Sequence, residues 1–352
     1  SSMVTHLAAV IPDARSSVLY ANRFYRRDYG RAVPAFSSRR LANAWALLAG
    51  PWWLGATTHS ARGVFYVGQL GYLVSSVDDR RWEMGFARRN GLAVACFLTG
   101  TDIRSTALSE QLELERGSIH VGGILGRAHS WMATPEYETA KRRMANAIDA
   151  EADLVFSMEF AQASYLKPGY EPTLYAYPDE EFVANFEKFD SPATLRILHA
   201  PSSPLIKGTA EVRQAIARLR AEGFVFEYIE LTSTDNELVT AELSRAHIVL
   251  NNFFSYTPGV FGVEALARGC VMLTSASETL EPGLPRGCDT AWIRTGSSEI
   301  HSTLAELLEH PVALRLQAER GFYFARENFS ATAARHQLLP TLDRVLANKM
   351  KP

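Results

Sequence analysis

The run YTPGVFGVEALARGCV at residues 256–271 sets a glycine-bearing turn directly before a helical segment that carries one acidic residue, Glu264. Small residues at Gly259 and Gly262 let the backbone come close to an anion, and the unpaired N–H groups and positive dipole end of the following helix favour one there. Asn252, Tyr256, Val260 and Phe261 flank the turn and join it as binding candidates. Glu264 suits a pair of vicinal hydroxyls such as a ribose presents, because an ionised carboxylate offers acceptors only. The stretch therefore reads as a site for a phosphorylated ligand with sugar hydroxyls, against the plainer reading of a loop-to-helix turn.

A second segment strengthens the first reading. The strand-like run LRILH at 195–199 leads through the loop APSSPLI at 200–206 to Lys207-Gly208-Thr209. A lysine at the lip of a strand-to-helix loop brings a mobile positive charge to phosphate oxygens, and Ser202, Ser203 and Gly208 line the same loop.

Around these segments, short β-like runs alternate with longer helical ones, the pattern of βαβ units and parallel sheets. Strands are expected at 17–21, 64–67, 92–97 and 153–156, and again at 195–199, 225–231, 247–250 and 271–274. Helices are expected at 78–90, 137–150, 210–222, 236–244 and 262–268. Prolines at 168, 172, 178 and 192 break regular structure between the two series. The C-terminal stretch 311–350 reads as two helices with a break at Asn328-Phe-Ser330, where Ser330 serves as N-cap. The fold class is α/β, with two Rossmann-like parallel-sheet domains. A length of 352 residues suits two such domains.

Lys207-Gly208 and Glu264-Ala-Leu-Ala-Arg-Gly269 together resemble the donor half of the retaining nucleotide-sugar glycosyltransferases of the GT-B fold, the group called family four. A looser match, Leu98-Thr-Gly-Thr-Asp-Ile-Arg104, resembles a Gly-Ser-Asp-Ile-Arg run that relatives carry after an N-terminal strand. The resemblance implies two domains facing across a cleft: an acceptor-side domain at 1–170, a linker at 171–193 and a donor domain at 194–330. It also implies that 331–352 cross back onto the first domain. It makes Asp102, Lys207 and Glu264 the candidate catalytic residues, with Gly100, Thr101 and Arg104 placed to handle the sugar or the acceptor. For Asp102, a helix cap is the competing reading.

The implied activity is transfer of a sugar from a nucleoside-diphosphate sugar to a glycan, lipid-linked or small-molecule acceptor hydroxyl, with retention and without a metal. No Asp-x-Asp run stands in a suitable loop; Asp78-Asp79 reads as a helix cap, and His59, His120, His129 and His199 show no ligand spacing. Several positions depart from the family pattern. Where relatives have histidine beside glycine stands Thr99-Gly100; no positive charge precedes Lys207 in its loop; Tyr256 stands where a first glutamate is usual; Asn251-Asn252 replace Asp-Gln. These departures keep two alternatives open: a weak or inactive binding protein or partner subunit of the same fold, and a nucleotide-sugar epimerase.

Composition bounds the partners. A formal charge of −2 gives no reason to expect nucleic acid, and three widely spaced cysteines form no disulfide or zinc pattern, as suits a reducing cytoplasm. No apolar run reaches the roughly 18 to 20 residues a spanning helix needs. The 23–56 region pairs arginines 23, 26, 27, 31, 39 and 40 with Trp52 and Trp53, and Pro51 interrupts its apolar part. It reads either as an Arg-rich loop before a core helix or as a surface for peripheral contact with the inner face of an anionic membrane.

Overall fold

The computed structural model describes residues 2–18, 31–32, 39–68, 71–73 and 80–349. The chain divides into two compact units, one drawn from Ser1–Arg116, Gly126–Leu174 and Arg335–Pro352, the other from Gly117–Leu125 and Tyr175–Ala334.

In the first unit, β1 (Ser17–Val18) pairs in parallel with β2 (Arg31–Ala32). Strands β3 (Gly63–Val67), β4 (Ala93–Phe97), β5 (Leu154–Ser157) and β6 (Glu171–Pro172) form a parallel sheet in that order. All five residues of β4 are buried, as its uninterrupted apolar run requires of a strand covered on both faces. Helices Arg81–Arg89 and Pro135–Glu151 pack on the sheet, with Met84, Ala147 and Ile148 joining Val64, Val94 and Cys96 in the core. The longer helix opens with Pro135 at its first position, and the Thr134 hydroxyl accepts the Tyr137 N–H at 3.3 Å.

Tyr72 and Leu73, beyond β3, are held by a buried pair. Arg80 donates to Glu83 at 2.7 Å, and Glu83 accepts the N–H groups of Tyr72 and Leu73 at 2.8 and 2.9 Å. Asp78-Asp79, read above as a cap, lies outside the described residues, as do Arg23, Arg26 and Arg27.

A helix spans Arg39–Ser60 without a break at Pro51. It is not a core helix along its whole length: Leu41, Trp45, Leu48 and Trp52 are 54%, 41%, 79% and 68% exposed, whereas Leu54 is buried. Their spacing of four, three and four residues sets them in one stripe. No helix among the described residues is long and apolar enough to cross a membrane.

In the second unit, β7 (Arg196–His199), β8 (Glu227–Glu230), β9 (Ile248–Leu250), β10 (Val271–Thr274) and β11 (Ile293–Arg294) form a parallel sheet in the order β11-β10-β9-β7-β8. Ile197, Ile248, Leu250, Val271 and Leu273 make its core with Val212, Ile216 and Leu219 of helix Thr209–Ala221. Helices Leu314–Phe329 and Ala331–Lys349 meet at Ser330, whose hydroxyl accepts the Ala333 N–H at 3.1 Å and so caps the second helix. From Arg335 onward that helix belongs to the first unit, where Arg335 donates to the Val10 carbonyl and Lys349 pairs with Asp153 at 2.9 Å.

Candidate functional site

In an open parallel sheet, ligands bind beyond the carboxyl ends of the strands, where successive connections leave in opposite directions. In the second unit the chain leaves β7 for β8 on one side and returns to β9 on the other. The switch therefore falls between β7 and β9. The loops beyond their carboxyl ends are residues 200–208 and 251–258, the two segments that carry the lysine and the glycine turn.

Lys207 closes the short helix Pro204–Lys207, whose Ser203 carbonyl accepts the Lys207 N–H at 3.1 Å; Ser202 ahead of it is exposed. The chain turns at Gly208, in the left-handed region at φ 71°, where a Cβ would stand 3.1 Å from Phe253. Lys207 is buried, donates from Nζ to Asn251 Oδ1 at 3.1 Å and lies 4.9 Å from the centre of the Phe261 ring. Burial lowers its pKa to about 8, opposed by the negative charge of Glu264.

Beneath the lysine, His199 at the end of β7 bridges two strands. Its Nδ1 lies 2.9 Å from the Leu250 carbonyl, which can only accept, so Nδ1 carries the proton and Nε2 accepts from the Thr209 hydroxyl, also at 2.9 Å. Burial pushes its pKa down to about 4, so the ring is neutral.

The second loop is shaped by two asparagines. Asn251 donates to the Pro258 carbonyl at 2.8 Å, and Asn252 donates to the carbonyls of Thr257 and Pro258 at 3.2 and 3.3 Å. Gly259 then sits at φ 66° and opens the helix Gly259–Ala267. Its N–H donates to the Tyr175 hydroxyl at 3.1 Å. Val260 and Phe261 follow in the first turn, where helical N–H groups have no partner inside the helix.

Gly262 has a packing role that the sequence did not show. A Cβ there would stand 2.7 Å from Asn251 Nδ2 and 3.0 Å from Met272 Sδ, so its smallness lets the helix pack on the sheet. Glu264 is buried and accepts from Asn236 Nδ2 at 3.3 Å, at the start of helix Asn236–Arg245. Tyr256 is also buried; its hydroxyl lies 2.8 Å from that of Ser118, and its ring meets His120 edge-on at 4.9 Å.

The remaining candidates lie in the first unit, after β4. Asp102 turns back on its own loop, accepting the Thr99 N–H at 2.8 Å and the Thr99 hydroxyl at 3.2 Å. The helix beyond is capped by Ser105, which accepts the Leu108 N–H at 3.0 Å, so that duty does not fall to Asp102. Lys141 donates to the carbonyls of Thr101 and Asp102, at 2.8 Å each. Gly100 takes φ 55°, and buried Arg104 donates from Nε to the Ala161 carbonyl at 2.9 Å. Burial lowers the Arg104 pKa to about 10, which leaves the guanidinium charged at neutral pH.

The structure thus joins Lys207, Asn252, Phe261 and Glu264 at one switch point and adds Asn251, Asn236, His199 and Tyr175, which were not singled out as binding residues. Asn251 was legible only as half of the Asn251-Asn252 pair that stands where relatives carry Asp-Gln. Tyr175, far away in the chain, carried no signal. Among the described residues no group of three or more His, Cys, Asp or Glu side chains is placed to hold a metal ion.

No protein-family model matches the chain, and no curated protein matches its sequence. Solved structures do match. Sucrose-phosphate synthase from Thermosynechococcus elongatus superposes with a TM-score of 0.59 at 12% identity, over 89% of this chain and 81% of that one. The Anabaena protein HepE, in complex with UDP and glucose, gives 0.56 at 13% identity, over 90% and 86%. WaaG, a glycosyltransferase involved in lipopolysaccharide biosynthesis, gives 0.56 at 12% identity, over 95% and 92%. The chain has the GT-B glycosyltransferase fold. At such identities the likeness carries the fold alone.

Proposed function

We propose that this protein is a glycosyltransferase that moves a sugar from a nucleoside-diphosphate sugar to an acceptor hydroxyl, with retention and without a metal. One observation carries the reading: Lys207 and the first turn of helix Gly259–Ala267 stand on the two loops that bracket the switch point of the second sheet, with Glu264 buried on that same helix.

The chemistry asks for little covalent help. As the glycosidic bond breaks, negative charge grows on the leaving diphosphate, and Lys207 with the N–H groups of Val260 and Phe261 offsets it. Glu264 accepts from ribose hydroxyls, with Asn236 fixing its carboxylate. The presence of UDP in the HepE structure and the fold shared with sugar-transferring enzymes support a nucleotide-sugar donor. The exposed stripe Leu41, Trp45, Leu48 and Trp52, on a helix that begins Arg39-Arg40, supports acceptor-side contact with an anionic membrane surface.

The test is turnover of a panel of nucleoside-diphosphate sugars with and without a chelator, with the anomeric configuration of the product assigned by NMR. Turnover that survives the chelator with the donor's configuration kept is the expected result. Loss of turnover rescued by magnesium or manganese, or an inverted product, would remove the metal-free or the retaining part.

A second reading, a nucleotide-binding protein of this fold with little transfer activity, is favoured by two internal bonds. The Asp102 carboxylate is bonded to Thr99 within its own loop, and the Tyr256 hydroxyl to Ser118. Nucleoside-diphosphate binding without turnover of any donor in the panel would select it.

A further inference from the structure

The glycine turn is fastened from two sides by tyrosines. Tyr256 bonds through its hydroxyl to Ser118 at 2.8 Å. Tyr175 accepts the Gly259 N–H at 3.1 Å, and its ring stands edge-on to Phe329 with centroids 5.0 Å apart. Two residues on, Tyr177 donates its N–H to the Phe329 carbonyl at 2.9 Å and accepts the Ala331 N–H at 2.6 Å, which fixes the backbone that presents Tyr175. Ser118 and Tyr175 both lie at points where the chain enters the second unit. The turn is thus anchored to the unit's entry segments as well as to its sheet.

The two anchors act on different sides of the turn. Asn251 and Asn252 bond the carbonyls of Thr257 and Pro258, which sets the acceptor side of the backbone. The N–H of Gly259 is the first donor of the helix, and its partner is the Tyr175 phenol. A left-handed residue followed by helical ones turns successive N–H groups towards a common concavity, the arrangement that receives anions. Its aim depends on the conformation at Gly259, φ 66°, being held. Tyr175 is buried and burial pushes its hydroxyl up to about 12, so the phenol stays neutral and does not repel an anion beside it.

We propose that Tyr175 is a positioning residue of the phosphate site: by accepting the Gly259 N–H it holds the turn that aims the N–H groups of Val260 and Phe261 at a diphosphate. The proposal rests on the nucleotide reading above and assigns that site a residue from outside both of its loops.

The test uses the full chain with Tyr175→Phe, inorganic pyrophosphate, UDP and uridine as calorimetric probes, and amide hydrogen exchange at residues 259–261. In the wild type the Gly259 amide should exchange more slowly than those of Val260 and Phe261; a faster one overturns the proposal without any variant. In Tyr175→Phe, Gly259 exchange should quicken, and pyrophosphate and UDP should bind roughly tenfold more weakly while uridine binds as before. Equal weakening of UDP and uridine, or none in a variant that binds both as the wild type does, overturns the proposal alone. A wild-type chain that binds neither UDP nor pyrophosphate overturns the nucleotide reading and this proposal with it.

Discussion

The Lys207 ammonium donates to the side-chain oxygen of Asn251 at 3.1 Å, and the nitrogen of the same amide donates to the Pro258 carbonyl at 2.8 Å. One buried side chain thereby joins the lysine loop to the glycine turn. The partner is a neutral amide and not a carboxylate, and burial lowers the lysine's pKa to about 8 against the opposing charge of Glu264.

Diphosphate binding should accordingly depend on pH. Below about 8 the free lysine is charged; above it the free protein loses the proton that a bound anion favours. Affinity should be flat to about pH 7 and then fall by up to about tenfold per unit, until the pH passes the higher pKa of the bound state. Lys207→Ala should flatten the profile and weaken diphosphate binding by about 2 kcal/mol, or roughly thirtyfold, leaving the nucleoside unaffected. Calorimetry from pH 6.5 to 9.5 on both proteins checks this.

Glu264→Gln should weaken the nucleotide about tenfold with little change in melting temperature, since the amide keeps one accepting oxygen of two. Glu264 also raises the Lys207 pKa. Its neutralisation should therefore move the onset of the alkaline loss of diphosphate binding to lower pH. A large fall in melting temperature with unaltered affinity would mark Glu264 as a brace for Asn236 instead.

His199 gives a stability prediction of its own. Its folded pKa of about 4 lies below the 6.5 of a free imidazole, so between those values the unfolded chain takes up a proton that the native ring refuses. The stability from neutral burial is fully present above about 6.5 and is lost as pH falls towards 4, at up to about 1.4 kcal/mol per unit. Denaturant melts of His199→Asn should show a shallower acid slope than the wild type. Identical slopes would place the acid sensitivity elsewhere.

Much of this was legible in the sequence, and the misses have physical causes. Uninterrupted buried runs such as 93–97 and 271–274 announced parallel strands, and Ser330 announced the break between the last two helices. The two-residue strands β6 and β11 were invisible, because so short a run has no periodicity and is ordered by its neighbour. The packing role of Gly262 was not legible: a glycine that admits a ligand and one that admits a methionine sulfur look alike until the fold is known. Tyr175 could not be found at all, since a contact across 84 residues leaves no local mark. The Arg39–Ser60 helix runs on through Pro51, which interrupts its apolar run; a proline removes one N–H, and a helix of 22 residues has many more.

The stripe on that helix should act at a membrane surface. In vesicle sedimentation the full chain should associate with anionic vesicles more than with zwitterionic ones. The double variant Leu48→Asp/Trp52→Asp should lose most of that association, because it sets two carboxylates among the apolar side chains. No preference for anionic vesicles in the wild type would count against an acceptor-side role for the stripe.

Titration calorimetry of the wild type and Lys207→Ala against UDP, ADP, GDP and their nucleosides tests whether the β7/β9 switch point holds a nucleoside diphosphate. The expected result is one diphosphate bound per chain by the wild type, with that affinity reduced in Lys207→Ala and nucleoside binding unmoved. Failure of the wild type to bind any diphosphate, or diphosphate binding untouched by loss of the lysine, would contradict it.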